Sequence, residues 1–177
     1  MRNKIILAAA CLALSGAAFA QNASSSGSAL SAADKMFITK AAEGGLAEVE
    51  LGRTATEKAS NQKVKDFGQR MVTDHSKANE ELKALAQKKG VTLPDSPDAK
   101  SKAMATKMSA MSGAAFDRAY MKDMVSDHEK DVAEFQKEAN NGADPDVKNW
   151  AATTLPTLQE HLKMAKDAES TVAHQQK

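Results

Sequence analysis

The sequence predicts an all-α fold, on three observations. Aromatic residues make up only 4% of the 177 residues, and Pro occurs four times, whereas a β-sandwich would carry more Val, Thr, Tyr and turn signals. Apolar residues recur with helical period in four long segments. Residues that start and stop helices bound those segments.

The first segment spans about Ala32 to Ala59 and ends at Ser60-Asn61. The second spans Gln62 to Lys89, with Gly90 as its C-terminal stop. Pro94 and Pro97 open a long connector between the second and third segments, and a short Met-bearing helix is expected within it, Asp98 to Met111. The third follows Ser112, a candidate N-cap, and ends at Asn140-Asn141-Gly142. Asp144-Pro145 supplies the N-cap and first turn of the fourth, which runs to about Val172 with Pro156 as an expected kink. This places a helical domain at 32–172, a flexible Ser/Gly/Ala/Asn-rich leader at 21–31 and a disordered polar tail at 173–177, in which His174 has no assigned role.

Residues 1–20 carry the three parts of a secretory signal peptide: Arg2 and Lys4, the uncharged apolar run Ile5 to Leu14, and Ala18-Phe19-Ala20 before a cleavage site at Gln21. The apolar run is about half of what a membrane-spanning helix needs. Cys11 lies inside it with Leu12, Ala13 and Leu14 still to follow, which argues against lipoprotein processing. The expected address is the periplasm or the exterior, with no integral span after cleavage. Cleavage removes the only cysteine and takes the net charge from +1 to −1, leaving neither disulfide nor thiolate ligand. Lys and Glu are interspersed without blocks, which argues against a nucleic-acid partner.

Steps of four and three residues trace each helix's apolar seam. In the second, Val64, Gly68, Met71, His75, Ala78, Leu82 and Leu85 share a face. In the fourth, the seam is Val147, Ala151, Thr154, Leu158, His161, Ala165 and Ala168. In the third, Tyr120, Met124, His128, Val132 and Phe135 share a face, and in the first Phe37, Ala41, Gly44, Leu51 and Ala55 enclose Glu48. Each long helix therefore places one metal-competent group in its seam: Glu48, His75, His128 and His161. All four lie within about 5 Å of their helix midpoints in axial travel, so one central layer is expected.

Burying several imidazoles with a carboxylate is unfavourable unless they pair or bind a cation. Neutral imidazole and carboxylate suit zinc, iron or copper. The competing reading is a metal-free His–Glu network that fixes helix register. Asp74 and Asp127 each precede a seam histidine and could accept a proton from an imidazole on a neighbouring helix, or simply face solvent. Met71 and Met124 stand four residues before a seam histidine and Met164 three after one. They are possible soft ligands for copper, or core filler. Parallel second and third helices with an antiparallel fourth would put all three thioethers on one side of the layer. Gly44-Gly45 is read as allowing close helix approach, and no Gly-rich loop or haem-attachment motif is present.

The run Ala41-Ala42-Glu43-Gly44-Gly45-Leu46-Ala47-Glu48-Val49-Glu50-Leu51-Gly52 resembles a family of exported bacterial proteins known as domain of unknown function 4142. So do Met71-Val72-Thr73-Asp74-His75-Ser76, Met124-Val125-Ser126-Asp127-His128 and Leu155-Pro156-Thr157-Leu158 followed by His161. The resemblance covers roughly Asp34 to Ala168. It implies a ferritin-like four-helix bundle in the envelope of Gram-negative bacteria, and it implies no activity. Ferritin-like di-iron proteins use Glu-x-x-His on two helices and a Glu on each of the others. Here Val72, Val125 and Leu158 stand three residues before the histidines, so a mononuclear His₃Glu site fits better. The expected function is transition-metal binding for metal handling or stress protection in the envelope. The alternative is a metal-free structural or interaction protein. A metal-dependent oxidoreductase would also require an open coordination position and a substrate channel.

Overall fold

The computed structural model describes residues 30–174 and contains five helices, with no strand among the described residues. They are α1 (Ala32–Lys58), α2 (Gln62–Lys89), α3 (Ala99–Ser109), α4 (Gly113–Asn141) and α5 (Pro145–His174). The expected signal peptide lies outside the described residues, as do nearly all of the expected leader and the end of the expected tail. The leader's last two residues are structured: Leu30 is buried and the Ser31 hydroxyl accepts the Asp34 amide at 3.0 Å, capping α1. At the other end α5 continues through Ala173 and His174.

Caps explain most helix limits. Asn61 Oδ1 accepts the Lys63 amide at 2.8 Å, and Asp144 Oδ1 accepts those of Asp146 and Val147 at 3.0 and 3.2 Å. Gly90 closes α2 at φ 66°, in the left-handed region that glycine enters without a Cβ clash. Asp98 Oδ1 caps α3 through the Ser101 amide at 2.8 Å. Ser112 stands at the N-cap of α4 but makes no side-chain capping bond. Pro156 lies inside a continuous α5.

The short α1–α2 and α4–α5 links make two antiparallel pairs. α2 packs against α5, α1 against α4, and α3 lies against α1 and α4. Contacts at the ends give the directions. The α1–α2 link meets the start of α4, where Asp117 accepts the Ser60 and Asn61 amides at 3.1 and 3.0 Å and the Ser60 hydroxyl. At the opposite end Asp34 of α1 accepts the Ala143 and Asp144 amides, both at 3.1 Å, from the α4–α5 link. Both aspartates are only 1% exposed. α2 and α4 therefore run parallel, with α1 and α5 opposed to them, and the α3 connector returns the chain along the length of the molecule.

The closest backbone approach is at Gly52 and Gly68. A Cβ added to Gly68 would lie 2.8 Å from the Gly52 carbonyl oxygen, and one added to Gly52 would lie 2.7 Å from that of Gly68. The close approach expected at Gly44-Gly45 holds at Gly45, where an added Cβ would overlap Asn79 Oδ1 of α2, and is corrected at Gly44, where it would meet nothing within 4 Å.

Two apolar clusters fill the interior. One holds Leu51, Met71, Met124 and Ala165 with the aromatic rings of Phe67, Phe116 and Tyr120. The other holds Ala42, Leu82, Phe135 and Leu158, with Phe37 edge-on to Phe135 at a centroid separation of 4.9 Å. Along every long helix, a polar residue falls between them: Glu48, His75, His128 and His161.

Candidate metal centre

Each histidine reaches the centre because its seam position faces the other helices while its helix midpoint sets its depth. His75, His128 and His161 are 7%, 0% and 1% exposed. Their ring centroids are 5.3 to 6.0 Å apart. One nitrogen from each ring lies within 4.8 Å of the chosen nitrogens of the other two. Three such points share a centre no more than about 2.8 Å from each (the side divided by √3), against roughly 2.0–2.1 Å for a zinc–imidazole bond. Rotamer shifts of under about 1 Å would close the difference.

Each ring has a buried nitrogen without a hydrogen-bond partner. His128 Nδ1 donates to the Met124 carbonyl at 2.9 Å, which leaves Nε2 as the unprotonated acceptor without a partner. His161 Nε2 lies 2.8 Å from Asp74 Oδ2, and its Nδ1 has no partner. His75 Nε2 is likewise buried and unpartnered. Leaving a buried polar atom unpaired disfavours the fold by about 1–3 kcal/mol each. Three buried imidazoles converging, each with such an atom, is the pattern of a site built for a ligand.

Burial holds all three imidazoles below their ordinary pKa, and repulsion from the other two pushes His75 down to about 3. They are neutral at physiological pH, the form that binds metals. Asp74 occupies the position expected of an orienting partner. Its carboxylate joins His161 to Arg70 and, although burial opposes ionisation, those two partners hold it below the usual carboxylate range. Arg70 itself was not anticipated; its spacing of four residues before Asp74 was the available signal.

The other expected residues fall as follows. Glu48 is buried, with Oε1 3.9 Å from His128 Nδ1 and Oε2 unpartnered. It stands beside the three-nitrogen group and outside it, and burial followed by repulsion from Asp127 and Asp123 pushes it up to about 8. Asp127 pairs with Lys130 at 2.8 Å and lines a cleft on the α1–α4 side. Met71 and Met124 are fully buried and Met164 partly so, all in the apolar cluster on one side of the layer. Sequence reasoning missed Asp131, one turn beyond His128, which burial and then Glu48 push up to about 7.

Fold and site together define an all-α protein whose interior carries a three-imidazole group that could hold a metal ion. The chain belongs to the family described as domain of unknown function (DUF4142), whose sequence profile matches residues 19–168. Its fold is similar to that of a DUF305 fragment from Deinococcus radiodurans, at TM-score 0.71 and 12% identity, covering 81% of this chain and 99% of that one. It is also similar to a candidate spore coat protein from Bacillus halodurans C-125, at TM-score 0.66 and 14% identity, covering 81% and 91%. No curated protein matches the sequence. Among the described residues, no helix is long and apolar enough to cross a membrane.

Proposed function

We propose that this is an exported protein of the bacterial envelope that binds one transition-metal ion through His75, His128 and His161. We read its fold as a ferritin-like four-helix bundle, supported by the single long connector between two parallel helices. The observation that carries the metal reading is the convergence of three buried imidazoles, each with an unpartnered nitrogen. Three nitrogen ligands leave at least one coordination position for water or a small exogenous ligand. Zinc, copper and iron all accept such a set. The role that fits is metal handling or protection against metal and oxidant stress. A metal-free layer that fixes register is the second reading, favoured by the His161–Asp74 contact that ties α5 to α2.

Cobalt titration followed by visible absorption tests the proposal, since Co²⁺ reports nitrogen coordination directly. One equivalent is expected to bind, and with an unusual pH dependence. A three-histidine site with ordinary pKa values would lose affinity about tenfold per proton for each pH unit below 6.5. Here burial holds all three folded imidazoles below that, His75 at about 3, so protons compete less. Kd should change by less than about tenfold between pH 7.5 and 5.5. The metal-free protein has the opposite sensitivity. Its histidines take up protons on unfolding, so their contribution to stability is present above about 6.5 and is lost as pH falls towards 3. No nitrogen-coordinated cobalt spectrum at pH 7.5 would contradict the proposal.

A further inference from the structure

We propose that the acidic cleft between α1, α3 and α4 is the route by which a divalent transition-metal cation reaches the three imidazoles; this rests on the metal-centre reading above. The cleft has a volume of about 360 Å³ and is open to solvent. Asp123, Asp127 and Asp131 line it at steps of four residues, which sets them in one stripe along α4. Glu48 of α1 lines it from the opposite side. Lysines are present and do not neutralise it. Lys130 pairs with Asp127 and Lys40 with Glu134, and Lys100 and Lys130 act on Asp123 through space, but acidic side chains outnumber lysines in the lining by seven to three.

Glu48 distinguishes this cleft from an ordinary acidic surface. The residue is only 4% exposed although it lines the cleft, and its buried Oε2 has no hydrogen-bond partner. Its other oxygen is 3.9 Å from His128. A carboxyl group that lines the cleft and stands beside His128 is the intermediate ligand for a cation passing from the cleft to the imidazoles.

The passage continues beyond Glu48. A second cavity of about 50 Å³ is lined by His75 and His161, and it shares Gly44 and Asp131 with the cleft. That space has room for a few waters. Gly44 lines both cavities, and a Cβ there would meet nothing within 4 Å, so this residue puts no side chain into the space beside either. The approach beside Asp74 is lined by Arg70 and Lys77, paired with Asp74 and Glu81, so it has no comparable acidic excess. A cleft with an excess of one sign concentrates counter-ions, an effect that raises association rates by roughly ten- to a thousandfold where the sign is uniform.

Stopped-flow loading of the purified protein with Co²⁺ tests the route. The double variant Asp123→Asn/Asp131→Asn should load about tenfold more slowly at low salt, with equilibrium affinity within about threefold of the unaltered protein. Raising salt to about 0.5 M should slow the unaltered protein and narrow that gap. Gly44→Leu should slow loading at every salt concentration, because it obstructs the passage without changing charge. Thermal unfolding of the metal-free variants checks that both are folded. Loading at the unaltered rate in both variants overturns the route while leaving the metal centre intact. Lost affinity at an unchanged rate overturns it too, making the aspartates ligands. Absence of cobalt binding to the unaltered protein overturns both readings.

Discussion

Replacing His128 by leucine is expected to abolish metal binding and, at the same time, to stabilise the metal-free protein. The first effect follows from losing one of three ligand nitrogens. Affinity should fall by more than a hundredfold, beyond the roughly ten- to hundredfold typical of removing an orienting partner. Asp74→Asn, which weakens the orientation of His161 without removing a ligand, should stay within that smaller range. The second effect follows from the unpartnered Nε2 of a fully buried ring. Leucine is of similar volume and removes an orphan worth about 1–3 kcal/mol, while His128 Nδ1 gives up only a bond to a carbonyl of its own helix. Thermal unfolding in chelator should therefore rise by roughly 2–6 °C. A polar layer kept for register predicts the reverse, a fall in melting temperature and a loss of cooperativity. The two measurements on one variant thus separate the metal reading from the structural one.

Asp117→Ala should be among the most destabilising single changes, although the residue lies far from the imidazoles. Its carboxylate accepts from the Ser60 and Asn61 amides and the Ser60 hydroxyl, and so fastens the α1–α2 link to the start of α4. Bonds to a charged acceptor contribute about 1.5–3 kcal/mol each and are not additive. A total loss of about 3 kcal/mol is expected, which lowers the melting temperature by roughly 6–12 °C. Asp66→Ala, which removes an exposed acceptor for Gln62, should stay within about 0.5 kcal/mol. Equal effects from the two variants would show that the clasp contributes nothing beyond surface polarity.

The helices were legible because their signals are local. Gly90, Asn61 and Asp144-Pro145 act on the backbone within one turn, and each limit they set appears in the structure. The central layer was legible because a polar residue in an otherwise apolar seam stands out, and helix midpoints fixed the depth of all four. Long-range partners were not. Asp34 and Asp117 looked like any acidic residue near a helix start, since the amides they accept lie 109 and 57 residues away. The same limit applied to glycine. Gly68 was placed in a seam, but its contact with Gly52 depends on how α1 and α2 pack, and Gly44 proved to face open space. Glu48 shared the layer's depth, yet depth does not specify which side of His128 a carboxylate occupies. Asp131 escaped notice because acidic residues at steps of four on a helix ordinarily face water.

Element analysis of the purified, untagged protein, paired with its thermal unfolding, bears most directly on the central claim. The account predicts about one equivalent of zinc, copper or iron. After chelation, restoring that metal to about a hundred times its Kd should stabilise the fold by about 2.7 kcal/mol, a rise of roughly 5–10 °C. Less than about a tenth of an equivalent of any of the three, with no change in melting temperature on adding them, would contradict it.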